Sequence, residues 1–582
     1  MSFFSTKNAL AKMEFDGFGG IDTSSPASSS NNGAKIENFR IMPDGSLQRR
    51  KCFRGKLDIG RKIRAICRCS INGEYVFYAL AGNIVYKYEH NGEKLTQLGT
   101  VGTDSGRASI FQYMGCVYII DGQDIYEIKY GEVVVVDGYA PLIGKNWDTN
   151  GHLGEINEPL NLLNSRARIS YIVKDYDAVT LGFPQDTMSI DAVAINGNIV
   201  DNSRYYVDWS FLTVSISDMN KGDRIMVYIT LKNSLLDRRE VVKNTEAYVF
   251  GGISNSRVFL WGGDKKNVVF STGIVSNSAL RDSELVYTGT GALYFPQDAN
   301  FVVGDGSYEI KGVGRHYDRL LIFTEGDTWM ADSDSSSAED FPTMRINSAW
   351  GCASLGGVSK AGNDPISISR DRIMRWTTNT DELDDCNAYC ISDGIASLLD
   401  KEFFDNAIVY EDKYNGEVLF RYPKDDDGRV YVYNVRTSKW YSYSGIKADI
   451  FFDGPDDLAF VSGSSVYFFD GSLEYDIDIN GESKPVYAVY ESNQIDFGMP
   501  ERSKRFMAIN LLGELGEGVE LEVVINNERE SITKRFIGSR SYLIEAFYSR
   551  VSSARFRRGS VKFCTSSRYP TRIFGMTIAV KP

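Results

Sequence analysis

Nowhere in this chain do about 18 apolar residues run together, so the sequence offers no membrane-spanning helix. The opening Met1-Ser-Phe-Phe-Ser5 lacks the charged start and apolar stretch of a secretory signal, which predicts a soluble chain. No segment joins a long apolar run to helical periodicity, so little helix is expected. Histidine is scarce, with only His90, His152 and His316. The eight cysteines stand at 52, 67, 69, 116, 352, 386, 390 and 564, and no histidine lies close enough in sequence to complete a zinc pattern. They read as reduced, mostly buried thiols of a protein made in a reducing cytoplasm, with Cys67 and Cys69 on one face of a strand. Positive charge is in deficit too. Lys and Arg total 64 against 77 Asp and Glu, a net charge of −13. That balance argues against a protein whose task is to grip nucleic acid by its phosphates. It is compatible with a channel wall past which a polyanion slides, since same-sign walls repel rather than trap it.

Aromatic residues are plentiful, at 13% of the 582 residues, and they favour strands. They recur in a fixed setting: a short aromatic strand, a tight polar turn, a second aromatic strand. Tyr75–Tyr78, Gly82-Asn83 and Ile84–Tyr88 give one copy, and Cys116–Ile120, Asp121-Gly122 and Ile125–Ile128 another. Later copies are Leu320–Phe323 with Thr328-Trp329, Val430–Tyr433 with Trp440-Tyr441, and Leu458–Phe460 with Val466–Phe469. Hairpins at this spacing predict radial repetition of small antiparallel sheets, a β-propeller of roughly five to seven blades.

The fold class expected is therefore all-β: a propeller platform with an inserted β-sandwich-like domain and a C-terminal β-domain. Residues 1–54 read as an extended segment that closes the propeller, interrupted by the low-complexity run Ser24–Gly33. Residues 55–144 carry the first blades. Residues 145–232 carry the insert, a turn-rich connector followed by short strands and an Asn196-Gly197 hairpin. Blades resume over 233–489, and 490–582 change rhythm to alternating charged and apolar residues, as in sheets with one wet face.

Candidate chemistry is thin. His316 has Arg315 and Asp318 close in sequence, but neighbours on a strand face opposite ways, and packing or a turn contact explains it. Lys424-Asp-Asp-Asp-Gly428 lacks the alternate-position oxygens of a calcium loop and reads as a hairpin turn. The Gly-Gly pairs at 251, 262 and 356 lack the spacing and following helix of a phosphate cradle. Neither sialidase-type Ser-x-Asp-x-Gly-x-x-Trp turns nor a paired-carboxylate constellation is found. No enzyme, metal or cofactor is expected. Two basic clusters stand out in an acidic chain: Arg49-Arg50-Lys51 and Arg555-Phe-Arg557-Arg558. They read either as solvated strand edges or as contacts to an acidic neighbouring subunit or to passing nucleic acid. Arg49, Arg50, Arg555, Arg557 and Arg558 are the candidate interface or DNA-path residues.

Phe18-Gly-Gly-Ile-Asp22, then Glu37-Asn-Phe39, then Asp44-Gly-Ser-Leu-Gln-Arg-Arg50 resembles the opening of phage tail propeller proteins. Ile310–Trp329 is similar to one of their blades, and Ile495–Lys504 to the segment after the last blade. The resemblance is to the nozzle, or tail tubular, protein of short-tailed phages. It implies a structural virion protein without enzymatic activity, located in the tail and assembled in the host bacterial cytoplasm. Its implied partners are further copies in a homohexameric ring, neighbouring tail or adaptor proteins, and viral DNA passing through the lumen. The insert sits where that family varies. Two other readings remain open: a non-enzymatic propeller that recognises a glycan or protein at its channel mouth, and a glycoside-active propeller.

Overall fold

A computed structural model describes residues 10–24, 31–71, 73–136, 138–145, 155–157, 161–174, 177–232, 238–251, 256–273, 293–296, 299–317, 319–331, 342–377, 387–539, 544–566 and 571–582. His152, Asp318, Cys386, most of the connector 145–154 and most of the run 24–33 lie outside the described residues. The chain is mostly β-strand, organised in several discrete sheets. It divides into two compact units, one of residues 1–62 and 347–582, the other of residues 63–346. Among the described residues, Arg238–Val242 and Lys401–Asn406 form short α-helices, and no helix is long and apolar enough to cross a membrane.

Among its described residues, the unit of residues 63–346 holds four antiparallel meanders of four strands each, beginning with Ile63–Ile71, Ser109–Tyr113, Glu246–Phe250 and Ile310–His316. The aromatic and β-branched residues that mark the repeat are what these strands bury: Tyr78 and Leu80, Tyr118 and Ile120, Phe259 and Trp261, Leu320 and Ile322. The first strand of each meander lies beside the first strand of the next. Polar clasps fix that neighbourhood. The Ser70 N–H donates to Gln112 Oε1 at 3.2 Å while Gln112 Nε2 donates back to the Ser70 carbonyl at 2.9 Å, and the Ser109 hydroxyl donates to the Thr245 carbonyl at 2.7 Å.

Between the second and third meanders, besides the two-stranded pair of Ile143–Lys145 with Glu155–Asn157, the described residues form two larger sheets. One is five-stranded, with Arg166–Ile172, Arg224–Leu231 and Thr187–Ile195 at its centre. The other is three-stranded, in the order Asp177–Gly182, Thr213–Met219, Tyr205–Asp208. Their apolar residues, among them Ile169, Leu181, Val214, Ile216 and Val227, make one core. The Asn196-Gly197 turn links Thr187–Ile195 to Asn198-Ile199, as its sequence predicts.

The other unit contains three more four-stranded meanders, and here the chain's beginning and end meet. One meander runs from Val358 to Cys390. Another, Ile408–Tyr443, continues into a nine-stranded sheet because Gly33–Glu37 pairs with both Lys439–Tyr443 and Ala488–Ser492. The third is completed by the strand Cys52–Asp58, which pairs antiparallel with Ser465–Asp470. The hairpin Phe39–Ile41 and Leu47–Arg49 joins Thr571–Lys581, and so does Ala11–Phe15. Gly45, at φ 80°, makes that hairpin's turn, and its carbonyl accepts the Phe18 N–H at 2.8 Å. At Gly20 an added Cβ would lie 2.8 Å from the Trp440 nitrogen, so only glycine lets the two backbones come this close.

Ile36 is fully buried in the strand that bridges two sheets, so replacing it has a cost that can be read directly. Ile36→Ala should lower the stability of the full chain by about 2–5 kcal/mol, the range for emptying a tightly packed aliphatic site. Removing residues 1–50 should prevent a cooperative melt of this unit, because three strands would lose a neighbour. Denaturant titration with circular dichroism checks both. A truncated chain that melts like the parent would sink this account of the N-terminal segment.

Candidate functional site

Side-chain chemistry concentrates around the bridging strand. Asn38 follows it in the left-handed conformation, φ 57°, which turns the chain sharply and aims its amide inward. Asn38 Nδ2 donates to Ser444 Oγ and to the Tyr487 carbonyl, each at 2.8 Å. Its Oδ1 accepts from the Ser444 N–H and from Arg50 Nε, each at 2.9 Å. Arg50 then makes a two-pronged contact to Asp476, at 3.1 and 2.6 Å, and donates to the carbonyls of Lys51 and Ser444. One asparagine and one arginine thus tie three strands together.

A second cluster lies next to it. Asp412 and Glu417 stand directly opposite each other on adjacent strands. Arg40 pairs with Glu417 at 2.6 Å, and the hydroxyls of Tyr441 and Tyr443 donate to the two oxygens of the same carboxylate at 2.7 and 2.9 Å. Burial acts to lower the Arg40 pKa, but Glu417, with Tyr443 and Tyr441, more than reverses it and holds the guanidinium well above its ordinary range. Burial and then the Glu417 charge push both phenols well above theirs. Lys51 pairs with Asp457 at 2.5 Å. Asp412 accepts from the Tyr414 and Asn415 N–H groups and from Asn415 Nδ2. Burial, followed by the nearby Glu417 charge, raises its pKa from the ordinary carboxylate value to about 6. The residues line a half-open pocket of about 20 Å³, enough for a single water. A space of that size fits no sugar or nucleotide, so this cluster locks strands together.

The basic residues separate by environment. Arg49 is 1% and Arg50 2% exposed, and both are engaged within the chain, Arg49 donating to the Glu474 carbonyl at 2.9 Å. That placement leaves Arg555, Arg557 and Arg558 as the exposed members of the set. Their segment is anchored from below. Phe556 stacks on Phe506 with ring centres 4.2 Å apart, and the Arg557 and Arg558 N–H groups donate to the Glu528 carboxylate at 3.3 and 3.2 Å. The buried Lys504 donates to the carbonyls of Arg557, Met499 and Arg502 at 2.6, 3.0 and 3.3 Å, and burial lowers its pKa. The result is an anchored segment that exposes three arginines beside the Glu528 carboxylate.

The other residues weighed from sequence fall on structural positions. His316 is buried at the end of its strand, its ring 5.0 Å from that of Tyr317. His90 opens a short 3-10 turn. Residues 424–428 join Glu417–Arg421 to Val430–Asn434, with the Asp425 carboxylate accepting the Asp427 and Arg429 N–H groups. Cys67 and Cys69 share a strand face with their sulfurs 3.8 Å apart. Among the described residues, no group of three or more His, Cys, Asp or Glu is arranged to hold a metal. Sequence reasoning missed the Arg40–Glu417–Tyr441–Tyr443 cluster. The readable signal was Tyr441-Ser-Tyr443, whose alternation puts both phenols on one face.

No family model matches this chain, and no characterised protein matches it by sequence. Likenesses among solved structures are remote. An exo-β-1,3-galactanase from Phanerochaete chrysosporium is 7% identical, with 98% of this chain and all of that one aligned at a TM-score of 0.22. The mitotic checkpoint complex gives 10% identity over 75% of this chain and 97% of that one, with a TM-score of 0.33. The extracellular domain of a putative one-component system from B. thetaiotaomicron gives 12% identity over 91% of each chain, with a TM-score of 0.19. At such scores none of them carries an argument about this chain's fold or function.

The Asp412 environment sets a pH dependence with a definite sign. Its pKa is higher folded than unfolded, so the folded state holds the proton more tightly between about pH 4 and pH 6. Its contribution is fully favourable below the unfolded pKa and is lost as pH rises through about 6. Asp412→Asn removes that titration. Relative to the parent, the variant should therefore gain on the order of 2–3 kcal/mol between pH 4 and pH 7. Parallel denaturant melts at the two pH values decide it. A parent–variant difference that does not change with pH would show that Asp412 ionises normally.

Proposed function

We propose that this chain is a non-catalytic β-scaffold, and within that class a subunit of a phage tail ring of the nozzle kind. In this reading the four-stranded meanders of each unit serve as propeller blades. The ring of copies surrounds a lumen for DNA, and neighbouring tail or adaptor proteins bind its ends.

The observation that carries the proposal is the use made of the residues behind the resemblance. Gly20 permits the close approach to Trp440, and Gly45 turns the hairpin that joins Thr571–Lys581. Asn38 and Arg50 knot that hairpin to Asp476 and Ser444. A likeness spread over common residue types is weak when those residues are interchangeable. Here each has a backbone or buried-charge role that few substitutes could fill. The anchored rim of Arg555, Arg557 and Arg558 adds a surface suited to an acidic neighbour or a phosphate backbone, in a chain whose net charge is −13.

A second reading, a binding module that recognises a glycan or a protein, is favoured by one specific feature. The insert exposes Tyr206, Trp209 and Phe211 close together in sequence around one hairpin turn.

A ring subunit must join head to tail through two different surfaces whose rotation closes. Electron microscopy of the purified full-length chain should show closed rings with a lumen. Replacing Arg555, Arg557 and Arg558 together by Glu should reduce ring yield by about tenfold with the melt unchanged, since surface charges add little to folding but act in concert at an interface. Monomers at every concentration would favour the binding module over the ring. Rings unaffected by the triple replacement would move the interface away from this rim.

A further inference from the structure

We propose that the three-stranded sheet of the insert carries a binding face for an uncharged polysaccharide, centred on Tyr206, Trp209 and Phe211. The inference goes beyond the ring reading and does not depend on it. Large aromatic side chains left this exposed around a single hairpin are unusual, because they keep apolar surface in water. Here Tyr206 is 67%, Trp209 49% and Phe211 79% exposed.

The turn that presents them is fixed from several sides. The Asp208 carboxylate accepts the Ser210 N–H at 2.8 Å and the Phe211 N–H at 3.2 Å, an Asx turn that sets the direction of both aromatic residues. Leu212 then takes φ 53°, a left-handed conformation costly for a residue with a Cβ. It is held there by its packing on the insert's core and by its carbonyl, which accepts the Phe183 N–H at 2.9 Å. The Trp209 ring meets the Phe183 ring edge to face at 5.3 Å, leaving its other surfaces to solvent. A rigid turn presents these rings with little ordering left to do on binding.

The composition around the rings selects the partner. Along Tyr205–Asp208 alternate residues face opposite ways: Tyr205 and Val207 pack on the core, so Tyr206 and Asp208 face out. Tyr206 stands opposite Ser215, which stands opposite Thr180, and those two hydroxyls hydrogen-bond at 3.1 Å. The outer face therefore carries an aromatic ring and hydroxyls in one cross-strand row, with a carboxylate two residues along. A pyranose has the matching surface, a face of C–H bonds bordered by hydroxyls that both donate and accept. An apolar protein knob would cover the second Asp208 oxygen and the spare bonding capacity of the hydroxyl pair without offering partners, which is costly on burial. Anionic partners are disfavoured by charge. The exposed Asp201 and Asp218 flank the face, and its cation, Arg204, is paired with Asp218 at 3.6 Å. Sulfated glycans, nucleic acid and anionic lipid would all meet negative potential there.

The test uses the full chain in native affinity gels containing dextran, mannan, galactan or xylan. Dextran sulfate gels and phosphatidylglycerol vesicles serve as the anionic arms, and sedimentation velocity reports self-association. The expected result is retardation by at least one neutral polysaccharide and none by the anionic probes. The double replacement Tyr206→Ser with Phe211→Ser should weaken that retardation at least about tenfold, a loss of roughly 1.4 kcal/mol, with the melt unchanged. Trp209→Ala should weaken it too, and because Trp209 packs on Phe183 its melt is read alongside. Failure of all four neutral polysaccharides to retard the chain overturns the proposal. So does retardation that survives the double replacement. A change confined to vesicle binding or to sedimentation would also overturn it, identifying the face as a lipid or protein contact.

Discussion

A five-residue strand, Gly33–Glu37, holds together the unit that contains both ends of the chain. It has a partner on each side, one parallel and one antiparallel, and without it the meander of Ile408–Tyr443 and the sheet of Ala488–Ser492 would each end in a row of unpaired backbone groups. Strands in such a position cannot be exchanged for side-chain packing, because a buried amide without a partner costs free energy that apolar contact does not return. The geometry of the neighbouring residues follows from this one insertion. Asn38 must turn at once to release the chain into the next hairpin, which explains its left-handed conformation. Gly20 must be glycine because the preceding segment runs against the Trp440 backbone.

Such a closure brings charge indoors, and the chain balances it pair by pair. Arg50 meets Asp476, Arg40 meets Glu417, and Lys51 meets Asp457, each with further hydrogen bonds to spare groups. Buried pairs of this kind give little net stability compared with apolar residues of the same volume, but breaking one leaves an uncompensated charge. They therefore reward the correct register of the N-terminal strands and penalise a slipped one. Asp412 is the exception. It sits in the same cluster with amide donors, and burial, followed by the Glu417 charge, outweighs those donors and raises its pKa.

Much of the strand pattern was legible in the sequence, because each meander buries the aromatic and β-branched residues whose spacing marks it. Tyr75–Tyr78 and Ile84–Tyr88 pair as their turn at Gly82-Asn83 predicts, and so do Cys116–Ile120 and Ile125–Ile128 across Asp121-Gly122. The long-range pairings were less accessible. Nothing in Cys52–Asp58 announces that its partner is Ser465–Asp470, since pairing across most of the chain leaves no local period. Charge was misleading for a related reason. Arg49-Arg50-Lys51 and Arg555–Arg558 look alike as strings of basic residues. Only the position of Asp476 and Asp457, more than 400 residues away, turns the first cluster inward. Trp209-Ser-Phe211 carried a local signal that could have been read, because aromatic residues within a hairpin turn have no strand face to bury them.

The inward charges and the outward rings obey one rule about where polar and apolar groups can afford to be. A buried charge needs a partner fixed in space, and the strand register supplies it. An exposed ring needs none to remain folded, but it keeps apolar surface in water, and covering that surface would return about 25 cal/mol for each Å² removed. A side chain such as Phe211, held by an Asx turn and a left-handed leucine, cannot relieve its exposure by folding back. Its remaining route to burial is contact with something outside the chain. The same reasoning sets Arg49 and Arg50 apart from Arg555, Arg557 and Arg558. The first pair is already desolvated and engaged, so a partner gains nothing from it, whereas the second set keeps its hydration and can exchange it for an anion. The surfaces able to act on other molecules are those whose physical requirements the fold leaves unmet.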